Sequence, residues 1–87
     1  MAKKTKFETA VIDKIKQMRI ERNLSQDDLA VFLDTTRGFI GQIESPNSAS
    51  KYNFNHINKL AQAMNCSPKD FFPDRHVSET SRAKRKS

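Results

Sequence analysis

Few side chains in this sequence are equipped for covalent or metal chemistry: across 87 residues there is one cysteine, Cys66, and there are two histidines, His56 and His76. A lone thiol cannot close an internal disulfide, and this set falls short of the four ligands that a structural zinc site takes. No glycine-rich phosphate loop, paired acid/base carboxylates or Ser/Cys–His arrangement has catalytic spacing, so neither an enzyme nor a cofactor, metal or small-molecule ligand is expected. What remains is cationic charge. Sixteen Lys and Arg oppose ten Asp and Glu, a formal net charge of +6, and such a balance favours an anionic partner such as nucleic acid. The surplus sits at the ends. Residues 1–6 carry Lys3, Lys4 and Lys6, residues 73–87 carry Arg75, Arg82, Lys84, Arg85 and Lys86 against Asp74 and Glu79, and residues 7–72 sum to zero. The chain therefore divides into a basic arm (1–6), one domain (7–72) and a basic tail (73–87). With almost no large apolar residue after Val77, the tail is expected to be disordered.

The domain must position whatever meets that partner, and its composition allows one modest core. Hydrophobic residues make up 36% and charged residues 30%, and no apolar run approaches the ~20 residues a bilayer needs. After the basic start, Glu8 and Asp13 interrupt any signal-like apolar stretch, so a cytoplasmic protein with no membrane partner is expected.

Five helices are expected, each announced by a cap. Thr5 and Glu8 form a capping box for helix 1, whose stripe Phe7, Val11, Ile15, Met18 recurs at steps of three and four; Asn23 is a suitable stop. Ser25 and Asp28 open helix 2 (about 26–33) with Leu29, Ala30 and Leu33 inward. Thr36 caps helix 3, which runs to about Glu44 with Ile40 and Ile43 inward. Residues 45–50 read as a polar loop. Asn53 caps helix 4, with Phe54, Ile57, Leu60, Ala61 and Met64 on one face. Ser67, Pro68 and Asp70 start a last short helix that delivers Phe71 and Phe72 to the core before Pro73 stops it. Cys66 reads as a small hydrophobe and His56 as a surface residue. Nothing alternates with a strand period, so the class is all-α, and helices 2 and 3, joined by three or four residues, have helix-turn-helix geometry.

The run Ile15…Met18-Arg19…Leu24-Ser25-Gln26…Leu29-Ala30…Leu33…Ile40…Ile43-Glu44, followed by Leu60-Ala61…Met64, resembles the phage repressor and Cro type of helix-turn-helix domain, the XRE family of bacterial regulators. The likeness spans about residues 11–72. It implies a compact five-helix repressor-like domain that binds double-stranded DNA, with helix 3 in the major groove.

Carried onto this sequence, the resemblance places Arg37, Gly38, Gly41 and Gln42 toward base edges. Arginine can pair bidentately with guanine and glutamine with adenine. Phe39 would either meet a thymine methyl or pack against helix 2 or a second subunit. Gln26, Thr36, Asn47, Ser48, Ser50 and Lys51 fall where family members approach phosphates, and Arg19 with Glu44 matches an interhelical ion pair. The resemblance further implies a homodimer on a palindromic operator, with Phe71, Phe72 and Val77 as a candidate dimer surface. Two departures stand out. Asp34 and Thr35 replace the family's usual glycine and aliphatic residue in the turn, and Gly38 and Gly41 lie inside a helix. The neutral body and those glycines also suit an alternative: a protein-interaction module, or an antitoxin that neutralises a partner, with weak DNA binding.

Overall fold

The protein is described here by a computed structural model covering residues 4–79. Its elements are α1 (Lys6–Glu21), α2 (Gln26–Leu33), α3 (Arg37–Glu44), α4 (Phe54–Met64) and a 3-10 turn (Pro68–Phe71). The expected fifth α-helix is therefore only this turn. Four residues between Ser67 and the start of the next extended backbone at Phe72 are too few to establish i→i+4 bonding, and Pro68 contributes no N–H. No strand occurs among the described residues. Among them, too, no helix is long and apolar enough to cross a membrane.

Local chemistry sets each helix start. Thr5, Ser25, Asn53 and Ser67 each accept from a backbone N–H of the first turn and complete a reciprocal capping box. Thr36 caps α3 through its hydroxyl, which accepts from Phe39 N at 3.1 Å. The ends share a second device. Asn23, Asp34 and Asn65 adopt left-handed φ of 57°, 57° and 56°. The residue after each sends its N–H back to a carbonyl five positions earlier: Leu24 to Arg19, Thr35 to Ala30 and Cys66 to Ala61, all at 2.9 Å. Asn and Asp tolerate this region better than other L residues, so Asp34 sustains the tight α2–α3 turn without a glycine.

α2 packs on α3 and α4, while the 3-10 turn closes the base against α1 and α4. Ile15, Leu29, Ile40, Ile43, Leu60 and Phe71 form the fully buried centre. The sequence places Phe54 on the inward stripe of α4, yet it is 87% exposed. It occupies the first turn of α4, where it lines an open groove beside Phe7 and Phe72 instead of entering the core. Phe71 is fully buried, which removes it from any docking surface, and Phe72 is half-buried with its ring stacked on Phe7 at 5.9 Å. Tyr52, outside every periodic stripe, is also buried; its hydroxyl has no hydrogen-bond partner among the described residues. Burial, reinforced by the Glu44 carboxylate, raises its pKa and holds it protonated.

His56 is half-buried rather than a surface residue, and it serves as the reciprocal acceptor in the α4 cap. Asn53 N donates to its Nδ1 at 3.2 Å while His56 N donates to Asn53 Oδ1 at 2.7 Å. Only the neutral ring can accept at Nδ1. Burial, with Lys59 adding repulsion, lowers its pKa below the ordinary histidine value. The unfolded chain therefore takes up the proton first. The cap's contribution is complete above the ordinary value and is lost as pH falls through the lowered one. Thermal melts between pH 7.5 and 5 should show the wild type losing Tm more steeply than His56→Gln, which keeps a capping-box acceptor that does not titrate. Parallel curves would remove this role.

Candidate nucleic-acid interface

Burial of Ile40 and Ile43 turns the opposite side of α3 outward. Arg37, Gly38 and Gln42 are exposed there and Gly41 is half-buried, so the four residues expected at base edges share one accessible face. Arg37 has no salt-bridge or side-chain hydrogen-bond partner among the described residues. Gln42 accepts a 3.3 Å hydrogen bond from the Ser50 hydroxyl, which ties the face to the following loop. Phe39 stands apart. Its ring is half-buried and meets His56 edge-on at 6.0 Å, which gives it a packing role between α3 and α4.

Neither glycine is demanded by the protein itself. Neither has positive φ. A Cβ on Gly38 would come no closer than 4.0 Å to the Thr36 hydroxyl oxygen, and one on Gly41 would rest 3.6 Å from Gln26 Oε1, an ordinary contact. Alanine would fit at both sites and gain up to about 1 kcal/mol in helix propensity. Two small residues thus leave the α3 backbone open to approach from outside.

Behind this face lies a part-buried polar brace. Arg19 Nε and Nη2 donate to Glu44 Oε2 and Oε1 at 2.9 and 3.0 Å, a bidentate pair. Arg19 Nη1 donates to the Leu24 carbonyl at 2.9 Å, and Gln26 Nε2 donates to Glu44 Oε1 at 3.0 Å. The side chains of Arg19 and Glu44 are only 11% and 4% exposed. One carboxylate at the end of α3 thereby binds α1 and the start of α2. Gln26, expected at a phosphate, is half-buried and spends its amide on this brace.

The α3–α4 loop is held from within and from α1. Asn47 N donates to the Ser45 hydroxyl at 3.2 Å and Ser50 N to the Ser48 hydroxyl at 3.1 Å, so the two serines fold the backbone locally. Lys51 does not stand free toward a phosphate. Its ammonium pairs with Glu8 Oε2 at 2.7 Å, and this bond, with that from Thr5 N, lowers the Glu8 pKa. Four long-range hydrogen bonds have no counterpart in the sequence pattern. Lys4 Nζ donates to the carbonyls of Ser45 and Ser48, both at 2.6 Å. Glu79 accepts from the backbone of Lys6 and Phe7 at 2.9 and 3.0 Å, laying residues 73–79 back toward the start of α1. Charge type was their only signal, since partners 41 to 73 positions apart leave no periodic trace. Lys3, Arg82, Lys84, Arg85 and Lys86 lie outside the described residues.

No group of three or more His, Cys, Asp and Glu side chains is placed to hold a metal among the described residues. Cys66 is half-buried against the core, and burial raises its thiol pKa, which suits packing more than reactivity. A family model described as a helix-turn-helix domain matches residues 12–73, well over half of the chain. No curated protein matches the chain, and no solved structure does.

Proposed function

The chain belongs to this helix-turn-helix domain family, and from that premise we propose that it is a sequence-specific regulator of transcription of the XRE type, reading double-stranded DNA with α3 in the major groove. The observation that carries this reading is the outer face of α3. There an unpaired Arg37 and an exposed Gln42 flank two glycines that neither backbone conformation nor internal packing requires. Arginine supplies two parallel donors for guanine O6 and N7, and glutamine a donor–acceptor pair for adenine. Thr36 before the first turn of α3, and Asn47, Ser48 and Ser50 in the loop after its end, would meet the flanking phosphates. Gln26 acts indirectly, by bracing Glu44, and Phe39 by packing α3 on α4.

The protein works as a homodimer, as a repressor occupying a palindromic site whose halves are separated by about 34 Å. It has no enzymatic role. Selection of bound duplexes from random DNA should return a preferred sequence, with affinity falling steeply as salt rises. Recovery of no preferred sequence would overturn the proposal. It would favour a second reading, a domain that chiefly contacts protein, which has the apolar groove lined by Phe7, Phe54 and Phe72 on its side.

A further inference from the structure

The ammonium of Lys4 lies between two carbonyls of the α3–α4 loop, from Ser45 and Ser48, at 2.6 Å each. Lys4 is itself half-buried, so this cation is committed inward. Its effect passes through a peptide plane. No peptide here is cis, and in a trans peptide the C=O and the next N–H point in opposite directions. Drawing the Ser48 carbonyl inward to Lys4 therefore turns the Ala49 N–H outward. Asn47, Ser48 and Ser50 use their N–H groups within the loop, and Pro46 has none. Ala49 is exposed, and its N–H finds no partner among the described residues. A cation bound at the carbonyl end of an amide also polarises that amide, which strengthens the N–H as a donor.

We propose that Lys4 is a positioning residue that aims the Ala49 N–H at a phosphate oxygen of the DNA backbone without touching the DNA itself. The inference rests on the DNA-binding reading above and adds a residue to it. The loop's second tether, Lys51 to Glu8, holds the other side of the same segment to α1. The loop is thus suspended between two contacts with the start of α1, and the free donor lies between them.

Two measurements on the full chain test this. In the free protein, Lys4→Met should lower the backbone order parameters of Ser48, Ala49 and Ser50 from the rigid value near ~0.85 toward the flexible range below ~0.6. On the selected duplex, Lys4→Met should weaken binding about tenfold at fixed salt while changing the slope of log affinity against log salt by well under the ~0.9 expected for each neutralised phosphate. Lys4→Arg, which can also reach two carbonyls, should restore both properties. A slope reduced by about 0.9 would show that Lys4 meets a phosphate directly and would overturn the proposal, as would unchanged affinity or an unchanged loop. If the wild type selects no DNA, the phosphate target falls with the functional reading, while the order parameters still decide whether Lys4 positions the loop.

Discussion

Glu44→Ala is expected to remove about 3–5 kcal/mol of stability, the usual consequence of leaving a buried charge without its partner. The carboxylate receives three hydrogen bonds, two from Arg19 and one from Gln26, and its side chain is 4% exposed. Deleting it strands a guanidinium that is 11% exposed and a half-buried amide. A domain of this size has a total stability on the order of 4–10 kcal/mol, so denaturant melts should find the variant marginal at room temperature. Arg19→Met combined with Glu44→Leu should recover much of the loss, because no buried charge is then unpaired. A double-mutant cycle should give a coupling energy of about 1–3 kcal/mol, and a value near zero would show that the pair is not a brace.

Arg37→Ala should act oppositely: little change in stability and a large change in binding. An exposed, unpaired first-turn arginine contributes little to the fold, whereas a bidentate contact to guanine discriminates by about 1–3 kcal/mol, or roughly 5- to 150-fold. The expected result is a lower affinity for the selected duplex and a preference relaxed at the base pair that Arg37 meets, with the other positions unchanged. An equal loss on every duplex would make Arg37 a phosphate contact instead. Unchanged preference would exclude α3's first turn as the reader.

How much of this was legible in the sequence follows from the range of the forces involved. The caps at Thr5, Ser25, Thr36, Asn53 and Ser67 could be read because a side chain reaching the first-turn amides needs only its near neighbours. The buried faces of α2 and α3 followed from spacing alone. Phe54 obeyed the same spacing and still emerged exposed, because periodicity gives a direction but does not say where the neighbouring helix ends. The capping role of His56 has no sequence signature, because a capping box is ordinarily closed by an acidic or amide side chain, and a neutral imidazole serves as well. The family resemblance named residues on the outer face of α3, and of these Arg37, Gly38 and Gln42 are exposed. Lys4, Tyr52 and Glu79 were not legible, since each acts through the loop path or across the two ends of the domain.

The bond from Glu79 to the first amides of α1 makes the described chain nearly a closed ring, with residues 6 and 79 a hydrogen bond apart. The order in which the four helices are strung is then incidental to how they pack. A circular permutant that joins residue 79 to residue 4 through a short linker and is reopened at the exposed turn around Asn23 would keep every helix and the whole outer face of α3, and would lose the left-handed stop at Asn23.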